Sequence, residues 1–434
     1  MNEIFARYLG ALAQTEWASR AQLVQYQQKL LGQLVRHTYE QVPFYRERLA
    51  CLFGQNGDVD LSRWREVPIL TRVEAALHSA DIRTPMLPIT YGAVREVHTS
   101  GSTTAPLCIA SNNLVWIASN AAMTRMVRWW RADTSLPLAR IARFENGEIP
   151  FDPHGVDHKG WSLASPDADV HDLEILTPVE QQLEWLLSKR APYLMTSSSN
   201  AAALAFAANP EQARDLAIEM VFAIAETVLP SQREIVADRL GAGIAGIYSC
   251  QEVGVIATEC AQEPCYHVVA ENAVVEILGQ DGAPVRPGEI GQVVVTGLYN
   301  YAMPFIRYAI GDVATAGPEI CACGRSLPVI TQVEGRTRHA FVFNDGTRVW
   351  PRSWNFQVEN FVSCREFQLV QLDRERIEFR YVPDDNGRPA DLIGLGAHLQ
   401  ERLHPSAVIS IVAMDAIPRG RGGKFDPFLS RAID

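Results

Sequence analysis

Thr99-Ser100-Gly101-Ser102-Thr103-Thr104-Ala105-Pro106 lies between a short approach, Val94–Val97, and a short apolar strand, Leu107–Ala110. Five hydroxyls, a glycine and a closing proline do not suit a core strand, because buried hydroxyls need partners and Gly and Pro weaken a ladder. The same residues suit an anion-binding loop, in which the backbone N–H groups of a turn and short hydroxyls converge on phosphate oxygens. A plain Ser/Thr-rich surface loop has the same composition, so the flanking chain decides. Asn113–Trp130 follows as an expected helix, with Val115, Ala118, Ala122 and Met126 on one stripe. Loop, strand and helix in that order suit α/β architecture.

The pattern repeats outward. Helices are expected over Pro178–Arg190, Asn200–Ala208 and Gln232–Leu240, and strands over Tyr193–Thr196, Met220–Ile224 and Gly243–Tyr248. Short apolar strands alternating with helices predict mainly parallel sheets with ligands at the strand C-termini. Upstream, residues 14–50 read as helical, and Thr71 with Glu74 three residues later forms a capping-box signature. The stretch from Phe144 to Trp161 reads as loop. From Val274 the chain becomes β-rich. After Gly335-Arg336, strands at 341–343, 367–372, 377–382 and 408–412 surround a helix near Leu392–Leu403, with Asn344-Asp345-Gly346 as a hairpin-turn signal. The expected organisation is a large N-terminal domain, 1–335, with parallel sheets and a β-rich subdomain, and a small mobile α+β lid, 336–434.

At 434 residues the chain exceeds what one hydrophobic core supports, which agrees with two domains. The net charge of −11 excludes a surface built to displace nucleic-acid counterions. Only Lys29, Lys159, Lys189 and Lys424 among the 39 basic residues are lysines, so each lysine stands out. No segment reads as a signal peptide, no apolar run approaches a membrane span, and eight scattered cysteines do not form a disulfide framework. A cytoplasmic enzyme without a membrane or nucleic-acid partner is expected.

Six stretches in order resemble the adenylate-forming superfamily, and within it the phenylacetate–CoA ligase branch. They are Val42-Pro43-Phe44-Tyr45-Arg46, the Thr99–Pro106 loop, Ala225-Glu226, Tyr248-Ser249-Cys250-Gln251-Glu252, Arg307-Tyr308-Ala309-Ile310-Gly311-Asp312 and Pro418–Lys424. Each is weak alone; their order and spacing over nearly the whole chain give the resemblance its weight. It implies ATP-dependent activation of a carboxylic acid, with an aromatic acid suggested, as acyl-AMP and transfer of the acyl group to coenzyme A. Thr99, Ser100, Gly101, Ser102 and Thr103 would cradle phosphates, Ala225 and Glu226 would form the adenine-edge turn, and Tyr248 and Ser249 would line the nucleotide. Asp312 would accept from the ribose hydroxyls, and Arg336 would sit beside the nucleotide or at the hinge.

Joining two anions requires positive charge at the transition state and close placement of the reactants. Glu252, at a strand end, is the candidate Mg2+ ligand, since Mg2+ takes one or two carboxylates plus phosphate oxygens. Lys424, in a loop containing Gly420, Gly422 and Gly423, is the candidate cation for the developing carboxyl–phosphoryl oxygen. The plain alternatives are a solvated loop glutamate, a turn aspartate and a tail lysine. Cys260, His267, Cys321 and Cys323 make a structural Zn2+ set of three thiolates and one imidazole, with Cys265 as a competing fourth ligand; the resemblance favours His267. Cys250, without a nearby His or Asp in sequence, does not suggest a Cys–His hydrolase.

The chain departs from the family pattern at Thr104 and Ala105, which replace a glycine and a lysine, at Ser249 and Gln251, and at Arg338 and His339, which stand where an Asp pair is expected. These departures keep two other readings open. One is adenylation followed by transfer to an amine or a carrier-protein thiol; the other is a non-catalytic nucleotide- or acyl-binding relative. The N-terminal helices and Pro43–Leu49 are a candidate homodimer surface.

Overall fold

Ser19 opens the helix Arg20–Gln41 with a capping box to Gln22, which splits the expected N-terminal helix from Asn2–Thr15. Thr71 and Glu74 form the anticipated capping box on Arg72–Leu77. The computed structural model describes residues 2–98, 107–144, 152, 154–351, 356–384, 390–419 and 425–432. Thr99, Ser100, Gly101, Ser102, Thr103, Thr104, Ala105 and Lys424 lie outside the described residues, as does the Arg338 side chain. The chain forms two compact units: Met1–Leu138 with Asp157–Val170 and Ala245–Gln332, and Ala139–Val156 with His171–Ile244 and Val333–Asp434.

In the first unit, the helix Asn113–Trp129 buries Ile117 and Ala121 against Phe5, Leu9 and Leu12 of Asn2–Thr15. The sheet order is Ala273–Leu278, Ile290–Gly297, Tyr308–Ala316, Val329–Arg336, Tyr266–Val268, Gly254–Glu259, Gly243–Cys250. Antiparallel registers such as Val274 opposite Thr296, Tyr266 opposite Glu259 and Tyr248 opposite Ala257 run through it. Val94–His98 and Cys108–Asn112 pair with each other as an antiparallel hairpin, Val97 opposite Ile109. The hydroxyl-rich stretch therefore joins two partner strands.

In the second unit Tyr193–Thr196 runs parallel to Met220–Ala223, both wholly buried, under the helices Val179–Lys189, Ser198–Ala207 and Pro230–Leu240. Its C-terminal part is a four-stranded sheet, Val408–Ala413, Arg376–Pro383, Cys364–Gln371, Phe428–Ser430, antiparallel at the centre and parallel at both edges. Leu395 and Leu399 of Leu392–Leu403 pack on Leu369, Ile377 and Phe379. The α/β class is as expected, but the sheets are mixed rather than mainly parallel. The links between Cys250 and Gly254 and between Glu259 and Tyr266 are too short for a parallel crossover, which needs a dozen or more residues.

Candidate active site

The strand Gly243–Cys250 slips register at Tyr248/Ser249, two residues before it ends, and Glu252 lies in the turn just beyond it. Gly254, at φ +83°, allows a close approach there: a Cβ would lie 2.3 Å from the Ser119 hydroxyl. Glu252 is only 4 % exposed, and its Oε1 accepts from the Tyr308 hydroxyl at 3.0 Å and from the Arg72 guanidinium at 3.3 Å. Neighbouring it on the same strands, the Tyr248 hydroxyl donates to Asp312 at 2.8 Å; Asp312 is 8 % exposed and follows Gly311, at φ +84°. Each carboxylate is thus tied to a tyrosine from the other's motif. Ser249 is exposed and pairs with Val255.

The carboxylate charge shapes its surroundings. Burial, then the charge of Glu252, pushes the Tyr308 hydroxyl up, so it stays a donor. The same two causes push the Cys250 thiol well up, leaving it without the thiolate a nucleophile requires. Arg307, at φ +46°, donates to Glu276 and to the carbonyls of Arg65 and Val67, so the motif arginine holds the frame instead of a ligand.

Three residues that motif reading missed complete the first unit's site. Arg72 brings a cation to Glu252, in a chain whose hydroxyl-rich loop has Ala105 where the family has lysine. Asn300 donates to the carbonyls of Ala110 and Glu252, tying the strand that leaves the loop to the Glu252 turn. Asn112 accepts from the backbone of Tyr301. The only sequence signal for Arg72 was its place as the first residue of a capped helix.

In the second unit, Ala225 adopts φ +65° and Glu226 accepts from the Ser199 N–H at 3.0 Å and the Ser198 hydroxyl at 3.4 Å. Arg336 is half-buried and ends the strand Val329–Arg336 after Gly335, at φ +106°. Left-handed backbone costs a residue with a Cβ about 1 kcal/mol. Ala225→Gly, which relieves that cost but loosens the unfolded chain, is expected to move stability by less than about 1 kcal/mol, where Gly for Ala in ordinary loops destabilises. Thermal melting checks this.

The Cys/His group lies in the first unit. Donor atoms of Cys260, Cys265, His267 and Cys321 all fall within 4.8 Å of one another, and the Cys323 sulfur is 3.2 Å from His267 Nε2. Cys265 and Cys321 sulfurs are 3.8 Å apart; a tetrahedral Zn2+ with Zn–S of about 2.3 Å sets sulfurs about 3.8 Å apart. His267 is fully buried, and its Nδ1 has no hydrogen-bond partner among the described residues. Hydrogen bonding from Cys265 pulls the Cys260 thiol down, and the Cys260–Cys265 contact holds Cys265 up, so of these two Cys260 is the one that forms a thiolate readily. The donor set fits zinc. Behind it, Trp129 meets His267 edge-on at 5.6 Å, donates from its indole N–H to Glu16, and stacks with Arg325.

A search of family models finds no match to this chain. A phenylacetate-coenzyme A ligase from Thermus thermophilus is 25% identical over 347 residues, covering 77% of this chain and 75% of that protein. A solved 2-hydroxyisobutyryl-CoA ligase in the postadenylation state, complexed with 2-HIB-AMP, superposes over 97% of this chain and 92% of its own, at 17% identity and a TM-score of 0.76. A benzoate CoA ligase from Burkholderia xenovorans LB400 matches over 79% of this chain and 68% of its own, at 14% identity and a TM-score of 0.56. The chain is thus similar in sequence to a phenylacetate-coenzyme A ligase and shares the fold of solved acyl-CoA ligases.

Proposed function

We propose that this protein is an acid–thiol ligase that activates a carboxylic acid as acyl-AMP and passes the acyl group to coenzyme A. The observation that carries the reading is the two buried carboxylates, Glu252 and Asp312, each bonded to a tyrosine hydroxyl, with Arg72 paired to Glu252. In the first half-reaction an acid oxygen bonds to the α-phosphorus and pyrophosphate leaves. In the second, the thiol sulfur bonds to the acyl carbon, its proton is lost, and AMP leaves.

Asp312 orients the ribose, the Ala225–Glu226 turn edges the adenine, Tyr248 and Ser249 flank the nucleotide, and Thr99, Ser100, Gly101, Ser102 and Thr103 hold phosphate oxygens by backbone and hydroxyl donors. Arg72 adds the charge that Ala105 lacks. A buried carboxylate matches the hard oxygen donor that Mg2+ prefers, so Glu252 would hold that ion, which neutralises phosphate charge when bound. Lys424 supplies charge at the reacting oxygen, and Arg336 stands at the turn between a catalytic domain, 1–335, and a lid, 336–434.

The ligase reading is tested by acid-dependent exchange of pyrophosphate into ATP over a panel of aromatic and aliphatic acids. Exchange with one acid class, followed by thioester formation on adding coenzyme A, is the expected result. Exchange without thioester, but with acyl transfer to an amine or carrier thiol, redirects the second half-reaction; ATP binding without exchange for any acid sinks the enzyme reading. Glu252→Gln keeps the contact to Tyr308 but loses the charge, and is expected to slow exchange about a hundredfold.

A structural Zn2+ on Cys260, His267, Cys321 and Cys323, with Cys265 competing for the fourth place, fits the same chain. One equivalent of zinc per purified chain is expected, and its removal by chelator lowers the melting temperature by several degrees. Comparing Cys265→Ser with Cys323→Ser by metal content identifies the fourth ligand. Among the described residues none of the eight cysteines is in a disulfide and no helix is long and apolar enough to cross a membrane. Thiolate ligands and free thiols fit a reducing compartment such as the cytoplasm.

A further inference from the structure

We infer that Glu226 is a positioning residue that seats the C-terminal segment through the backbone of Phe425, one peptide away from Lys424. The inference rests on the proposed adenylation and adds to it. The two carboxylate oxygens are divided between two tasks. Oε2 accepts from the Ser199 N–H at 3.0 Å and the Ser198 hydroxyl at 3.4 Å, at the start of the helix Ser198–Ala207. Both serines are buried, and a carboxylate is favoured at a helix N-terminus, so this oxygen is anchored. Oε1 accepts from the Phe425 N–H at 3.3 Å.

Phe425 is itself held by its ring. It packs with Val382 and Ile417, and the Arg419 guanidinium lies 4.5 Å from its centre. Beyond it the backbone is fixed by the sheet: Gln368 donates to the Asp426 carbonyl at 2.7 Å and Leu369 N–H to the Pro427 carbonyl at 2.8 Å. Three residues after Glu226, Leu229 is buried in the core formed by Phe341, Phe356 and Phe428. Glu226 is thus a contact to the first backbone N–H after Lys424. Consecutive Cα atoms lie about 3.8 Å apart, so holding Phe425 limits where the lysine can begin. With its carboxylate committed to protein donors, the Ala225–Glu226 turn presents its backbone, not this side chain, to the adenine.

The test uses the full chain carrying Glu226→Ala or Glu226→Gln, with thermal melting to confirm folding. Hydrogen–deuterium exchange of the unliganded proteins reads the contact directly. The Phe425 amide is expected to exchange about tenfold faster or more in Glu226→Ala than in the wild type, and by less in Glu226→Gln, which keeps one acceptor. An unchanged rate overturns the inference, whether or not any acid is adenylated. In the half-reactions, Glu226→Ala is expected to lower the kcat of pyrophosphate exchange about tenfold, with the KM for ATP and thioester formation from preformed acyl-AMP held within about twofold. Glu226→Gln recovers part of that loss. A raised KM for ATP with kcat intact would put the carboxylate on the nucleotide, and an equal loss in both half-reactions would mark a structural role; either result overturns the positioning reading. Absence of exchange in the wild type rejects the ligase reading separately, and the amide rate still decides the contact.

Discussion

Lys424→Ala is expected to slow acid-dependent pyrophosphate exchange by about a thousandfold, or about 4 kcal/mol of transition-state stabilisation. Carboxylate attack on the α-phosphorus gathers negative charge on the oxygens around the new bond, and an ammonium there acts mainly in the transition state. Such a contact lowers kcat when it is lost and leaves ground-state binding almost untouched, so the KM for ATP is expected to change little. Thioester formation from preformed acyl-AMP, in which the carboxyl–phosphoryl bond already exists, is expected to survive. Lys424→Arg is expected to rescue poorly, because a planar fork does not reproduce a compact point charge. Steady-state exchange and the isolated second half-reaction measure both effects. Wild-type exchange in Lys424→Ala would remove the lysine from the mechanism.

Features set by near neighbours in the chain were legible in the sequence. The Thr71–Glu74 capping box forms as read, and Pro178 precedes a helix ending at Lys189. Tyr248, Glu252 and Asp312 could be picked out because their motifs are local, and the structure bonds Tyr248 to Asp312. Pairing was less legible, because hydrophobic period reports a face and not a partner. The stretch before the hydroxyl-rich loop read only as an approach to it, yet Val94–His98 is a strand that pairs with Cys108–Asn112 as one arm of a hairpin. Tyr266–Val268 is three residues long and yields no period, so the antiparallel turn of the first unit's sheet was hidden. The contacts that seat the site join residues far apart in sequence: Tyr308 reaches Glu252 across 56 positions and Arg72 reaches it across 180. Cys265 emerged as a full member of the Cys/His cluster because spacing ranks candidate ligands by sequence, whereas the sulfur positions depend on how the 260–267 turn folds back.

The largest expected loss of stability lies away from the site, at Glu271→Ala. Arg125 and Glu271, 146 positions apart, meet at 2.9 Å with side chains 3% and 0% exposed, and the Thr15 hydroxyl also donates to the carboxylate. This contact joins the end of Asn2–Thr15, the middle of Asn113–Trp129 and the turn after Tyr266–Val268. Truncating Glu271 strands a guanidinium that cannot shed its proton and whose Nε already has no partner among the described residues. The Trp129 ring, 5.2 Å from the Arg125 guanidinium carbon, offsets only part of the lost attraction. Breaking one side of a buried pair costs about 3–5 kcal/mol, so denaturant or thermal unfolding of Glu271→Ala should show a loss of that size. Arg125→Met tests the cause: with the cation gone first, the further cost of Glu271→Leu should be small or reversed in sign, because two apolar side chains fill the space without a stranded charge. Additive losses in that cycle would mean that packing, and not the uncompensated charge, sets the cost.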